Sequence, residues 1–253
     1  MEPDTYDTAV LRLRAAGCVA AEEEAAELIA AAGDEDELET FLQRREQGEP
    51  LAWITGTLPF CAVCLAIDTG VYIPRLQSED LARRAANRLP TNGRAADLCA
   101  GAGAIAAHLA LARPAATVVA VDIDERAVAC ARRNHDRVVR GDLGTALRSH
   151  AFDVVTAVAP YVPEPELAYL PADTQRYEPR RALDGGSDGL DIVRRVVHCA
   201  ARLLKPGGWM FLEVGGDQDD VLAPVLEAAR FAEVATWDDE DGDLRGLSAA
   251  WIV

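Results

Sequence analysis

Lysine is almost missing from this sequence: of 25 basic side chains only Lys205 is not an arginine, and 42 acids leave a formal net charge of −17. A surface of that sign repels phosphate backbones, because nucleic-acid affinity comes largely from lysine and arginine displacing counterions. Nucleic acid is therefore not an expected partner. Long hydrophobic runs are missing as well. Half of the residues are apolar, yet no run approaches the roughly 20 needed for a membrane helix. The N-terminus, MEPDTYDTAV, is acidic where an export signal is basic. The expectation is a cytoplasmic protein with no membrane contact. Cysteine pairs at metal-ligand spacing are also lacking: Cys61 and Cys64 form one CxxC with no second pair, so no metal site is expected. All six thiols, at Cys18, Cys61, Cys64, Cys99, Cys130 and Cys199, fall in segments that read as core, and buried free thiols are expected. His108, His135, His150 and His198 form no ligand motif or triad.

What is present is an organised alternation. The length allows one ordinary domain and a smaller one. Residues 1–50 read as helical: AEEEAAELIAAAG ends at Gly33, and DEDELETFLQRRE opens with acids suited to a helix N-terminus. The runs Glu22-Glu23-Glu24 and Asp34-Glu35-Asp36 read as solvated faces. Residues 51–75 read as a β-hairpin connector, two apolar runs around Asp68-Thr69-Gly70. From residue 76 to 253, helical and strand patterns alternate, the signature of parallel βαβ units, and an α/β doubly wound sheet of seven strands is predicted.

Three strand ends carry chemistry. The first runs from Asp97 through Cys99 to Gly101 and Gly103 and straight into a helix; glycines there let the backbone approach a ligand at the carboxyl edge of a sheet. The second ends at Asp122, followed by Ile123, where an acid can accept hydrogen bonds from both ribose hydroxyls. The third ends at Asp142, where a carboxylate can take an adenine amino group while Leu143 packs near the ring. Each acid taken alone could merely cap the next helix. A nicotinamide dinucleotide could use the same crevice, but the third glycine of GxGxxG is replaced by Ala106, which favours S-adenosyl-L-methionine.

Further on stand Val158-Ala159-Pro160-Tyr161, GEPLAWITG from Gly48, Ile73-Pro74-Arg75-Leu76-Gln77-Ser78-Glu79, EPRRALDGGSDGL from Glu178, and FLEVGGDQ. On these motifs nearly the whole chain resembles the HemK/PrmC protein-(glutamine-N5) methyltransferases, most nearly their actinobacterial branch, and alanine abundance with arginine bias fits a GC-rich genome. The resemblance implies a class I S-adenosylmethionine-dependent methyltransferase fold behind a small helical region. It places the cofactor on Asp97, Gly101, Gly103, Asp122, Ile123, Asp142 and Leu143. Val158, Ala159, Pro160 and Tyr161 would face the acceptor, with Arg75, Glu79 and Glu178 around the pocket. The acceptor implied is a glutamine amide of a protein, a release factor in the best-known members. Those members clamp the amide hydrogens with a loop Asn side chain and the next carbonyl. Here Val158 stands at the Asn position, Cys99 replaces the loop's first glycine and Ser78 a threonine. A different acceptor, a small molecule or carboxylate, needs no such clamp; a non-catalytic binding protein is the other alternative.

Overall fold

The computed structural model describes residues 3–252. Four helices come first: α1 (Pro3–Ala15), α2 (Ala21–Ala31), α3 (Glu35–Glu46) and α4 (Leu51–Thr55). At the start of α3 the Asp34 carboxylate accepts from the Glu37 amide at 2.8 Å, and the Glu37 carboxylate accepts from the Gly33 amide at 2.8 Å, a reciprocal cap that satisfies two otherwise orphaned donors. Leu13, Leu28, Leu42 and Ile54 meet in a core separate from the rest of the protein. The helical region thus runs past the expected limit at residue 50. Pro50 supplies a preset φ before α4, and Ile54 carries that helix into the small core. Glu24, expected on a solvated face, is instead only 14% exposed and pairs with Arg45 at 2.6 Å.

The hairpin is β1 (Thr57–Phe60) and β2 (Val63–Ala66), with Phe60 opposite Val63. Its turn is therefore Cys61-Ala62, not Asp68-Thr69-Gly70 as the composition of that triplet suggested. The triplet forms a later turn, closed by the Val71 amide on the Asp68 carbonyl at 3.1 Å. Burial explains the register: Phe60 and Leu65 go into the main core, and a slip by one residue would turn both outward. The same pleat leaves Cys64 exposed; Cys130 is fully buried and Cys18, Cys61, Cys99 and Cys199 are half-buried, against the expectation of six core cysteines. After the hairpin, residues 67–77 form a strap without regular structure.

Beyond the strap come α5 (Ser78–Arg88), β3 (Arg94–Leu98), α6 (Ala104–Ala112), β4 (Thr117–Asp122), α7 (Glu125–Asn134), β5 (Val138–Arg140) and β6 (Phe152–Ala157). They are followed by α8 (Ala172–Tyr177), α9 (Asp191–Leu203), β7 (Leu204–Glu213), α10 (Gln218–Ala228), β8 (Phe231–Asp238) and β9 (Leu244–Trp251). The seven strands lie in the order β5-β4-β3-β6-β7-β9-β8, parallel except for β9, which runs against both neighbours. Because side chains alternate along a strand, Ala95, Val118, Ala120 and Val154 pack under α5, α6 and α7, while Ala96, Val121, Val155 and Ala157 pack under α9 and α10. Strand order reverses between β3 and β6, so their carboxyl ends open a crevice where ligands bind in such sheets.

Candidate active site

The loop leaving β3 turns sharply on three left-handed residues: Cys99 at φ +54°, Gly101 at +55° and Gly103 at +82°. Cys99 carries a side chain where that conformation favours glycine, and burial pushes its thiol well above the ordinary range, so it stays protonated. Gly101 borders a cavity of about 280 Å³. Gly103 does not border it; a Cβ there would sit 3.2 Å from the Ala131 Cβ, so this glycine lets α6 approach α7. Asp97, 1% exposed, lies beneath the loop. It accepts from the Thr156 hydroxyl at 2.7 Å and the Ala106 amide at 3.2 Å, and burial holds its carboxyl up at about 7.

The 280 Å³ cavity is bordered by Asp122, Ile123, Asp142 and Leu143, with Val121, Ala127 and Ile192 as apolar walls. Asp122 accepts from the Gly101 amide and the Asp124 amide, both at 2.8 Å, so it also fixes the glycine loop; burial raises its carboxyl above the usual range. Asp142 is engaged by Arg195 of α9 at 2.6 Å, and Arg181 pairs with Asp124 at 3.2 Å. Neither arginine was singled out in the sequence, and both border the cavity.

The loop after β6 separates this cavity from a larger groove of about 970 Å³. Ala159 and Tyr161 face the groove, Pro160 faces the smaller cavity, and Val158 borders both. The loop is pinned from several sides. The Tyr161 carbonyl accepts from the Gln218 side chain at 2.8 Å. Val162 exchanges main-chain hydrogen bonds with Leu183 and Gly185, at 3.1 and 2.9 Å. Gly189, at φ +77°, packs so tightly that a Cβ would overlap the Tyr161 carbonyl oxygen, which is why the EPRRALDGGSDGL stretch needs its glycines. No described residue donates to the Ala159 carbonyl.

Under the groove lies a network that sequence reasoning missed. Glu213, 2% exposed at the end of β7, accepts from the Tyr161 hydroxyl and the Gln77 amide, each at 2.9 Å, and from the Ser78 hydroxyl at 2.5 Å. The signal was available, since an acid at a parallel strand's carboxyl end is the feature that singled out Asp122. Glu178 pairs with Arg75 and accepts from the Ile73 amide at 3.1 Å. Arg75 borders the groove; Glu178 does not, and anchors the strap from below. Glu79 borders neither space. Contrary to its expected pocket role, it accepts from the Cys61 amide at 2.5 Å and pairs with Arg83, because α5 starts directly behind the hairpin turn.

Residues 76–163 match the methyltransferase small domain family model. The release factor glutamine methyltransferase of Geobacter sulfurreducens is 37% identical over 80% of this chain and 73% of its own length; that of Gloeobacter violaceus is 39% identical over 73% and 68%. This chain belongs to the release factor glutamine methyltransferase family. It is an S-adenosylmethionine-dependent methyltransferase. Among solved structures, an E. cuniculi complex responsible for methylating a translation termination factor superposes with a TM-score of 0.54 at 21% identity, over 71% of this chain and 98% of that one. A T. thermophilus 16S rRNA methyltransferase, solved with AdoMet and guanosine, gives 0.54 at 18% identity over 78% and 44%. These two likenesses establish the class I methyltransferase fold.

The residues present fit the cofactor this family uses. The cavity places a half-buried carboxylate, Asp122, at the left-handed Gly101 turn, with a second carboxylate, Asp142, across apolar walls. That is the acceptor and shape set that a nucleoside with a free ribose edge requires.

Proposed function

We propose that this methyltransferase acts in the cytoplasm on a protein, transferring a methyl group to the side-chain amide nitrogen of a glutamine in a release-factor-type loop. The observation that carries the reading is the meeting of the 280 Å³ cavity and the 970 Å³ groove at Val158. The groove mouth presents Leu76 and Tyr169, 73% and 86% exposed. Large apolar side chains left in water at a groove suit a peptide segment better than a small metabolite. The 37% identity to a release factor glutamine methyltransferase supports the same acceptor. Membership of the actinobacterial branch is supported by the lone lysine and by Ala159-Pro160-Tyr161.

When bound, S-adenosylmethionine supplies a sulfonium methyl whose S–C bonding pair returns to sulfur as the acceptor's lone pair forms the new bond. The protein's residues bind and orient. In this reading Asp122 holds the ribose hydroxyls while Asp142 and Leu143 meet the adenine, with Asp97, Gly101, Gly103 and Ile123 shaping that end. Ala159 receives one amide hydrogen at its carbonyl and Tyr161 walls the groove, both held by the pinned loop. The amide nitrogen is a weak nucleophile, so fixing its lone pair towards the methyl can supply a large share of the barrier reduction. Its surplus proton leaves to water in the groove.

The test is methyl transfer to an intact release factor, with mass mapping of the product. One methyl on the loop glutamine, with S-adenosylhomocysteine formed in equal amount, is the expected result. An unmodified factor alongside methylated small oxygen acids would overturn it. That second reading has one observation in its favour: Val158 offers no hydrogen-bond acceptor, and an oxygen nucleophile needs none.

A further inference from the structure

Two residues, Tyr72 and Val158, border the cofactor cavity, the acceptor groove and a third, 30 Å³ cavity that lies between the glycine loop and Ser78. Both residues therefore stand where the cofactor and acceptor spaces adjoin. Val158 contributes only hydrocarbon. Tyr72 contributes a phenol, and the guanidinium over its ring is that of Arg75, which borders the groove and not the cofactor cavity.

Several of the other polar groups nearby are already committed. The Tyr161 hydroxyl, the Gln77 amide and the Ser78 hydroxyl all serve Glu213. Arg75 serves Glu178 and cannot accept a hydrogen bond. Tyr72 itself is held rigidly. The Arg75 guanidinium lies 5.0 Å from its ring centroid. Its two chain neighbours are tied down, the Val71 carbonyl by the Trp53 indole at 3.1 Å and the Ile73 amide by Glu178 at 3.1 Å. Burial raises the phenol well above its ordinary range, so it remains a hydroxyl, whose oxygen can accept a hydrogen bond from an amide.

We infer that the Tyr72 hydroxyl oxygen is the second acceptor for the substrate amide, receiving one N–H while the Ala159 carbonyl receives the other. The inference rests on the glutamine reading above. Position 158 need not then carry a polar side chain, because the clamp is completed from the strap instead of from the loop. Specificity for an amide over an apolar side chain would come from this hydroxyl, since a site with a buried acceptor penalises a group that leaves it unpaired.

The test compares binding of two loop peptides, one carrying glutamine and one carrying methionine at that position, to protein saturated with S-adenosylhomocysteine. The wild type should prefer glutamine by about tenfold, the scale of one amide hydrogen bond. Tyr72→Phe keeps the ring and should lose that preference with cofactor affinity unchanged; Tyr72→Phe/Val158→Asn should regain it. In turnover, Tyr72→Phe should lower kcat by about a hundredfold with a smaller change in KM. Full preference retained in Tyr72→Phe would overturn the inference while leaving the glutamine reading intact. No preference in the wild type would overturn the glutamine reading, and the inference with it.

Discussion

The two sides of the crevice are built to different standards. On the cavity side, the strand-end acids are locked by near neighbours: Asp122 by the Gly101 and Asp124 amides, Asp97 by the Thr156 hydroxyl and the Ala106 amide, Asp142 by the Arg195 guanidinium. On the acceptor side, the loop after β6 is held as firmly, through Gln218, Leu183 and Gly185, yet the side chain at its centre is Val158, which has no polar atom to offer. The scaffold that aims an acceptor is complete, and the group expected to hold its amide is not on it. The difference teaches that positioning and recognition are separable here: the sheet and the glycine-rich stretch fix where the loop lies, and the strap can supply what the loop lacks.

The sharpest way to break this comparison is Gly189→Ala. A Cβ at φ +77° would be strained and would press on the Tyr161 carbonyl. A displacement on the order of 1 Å at a reacting centre costs about a hundredfold in rate. Methyl transfer should fall by that factor while cofactor affinity, measured by calorimetry, stays within twofold; equal loss of both would mean the sides are not separable. Next in size is Asp122→Ala, which removes the proposed ribose acceptor and both loop contacts. Cofactor affinity should fall by about tenfold or more, the worth of a charged hydrogen bond left unmade, and unchanged affinity would refute the ribose assignment.

The smallest effect concerns pH. Asp97 is held at about 7 by burial, against an ordinary value of 3.8. Between those limits the folded protein binds the proton that the unfolded chain releases, so stability should decline as pH rises from about 4 to 7 and then level off. Urea unfolding of the wild type and Asp97→Asn at pH 5 and 8 checks the sign: the difference should move in the variant's favour at the higher pH. A difference independent of pH would place Asp97 outside this role.

That Asp122 and Asp142 come together at one cavity was legible in the sequence because it is written in local terms: a strand pattern, then an acid, then a turn. The acceptor side depends on contacts between distant segments. Glu79 borders nothing catalytic because α5 carries it behind the hairpin turn, where it meets Cys61, and no spacing in the chain foretells that. The hairpin turn itself was misplaced for a related reason. Asp68-Thr69-Gly70 has turn residues, but the burial of Phe60 and Leu65 decides the register, and Cys61 accepts φ +51° to satisfy it. Glu213 escaped notice although it ends a parallel strand as Asp122 does; its partners Gln77, Ser78 and Tyr161 come from two other parts of the fold.

The most direct measurement is calorimetric titration of the wild-type protein with S-adenosylmethionine, followed in the same cell by assay of S-adenosylhomocysteine after a release factor is added. Saturable binding followed by stoichiometric S-adenosylhomocysteine is the result expected from a cofactor cavity that opens onto a working acceptor groove. Binding without product would contradict the acceptor assigned to the groove, and no binding would contradict the assignment of the cavity itself.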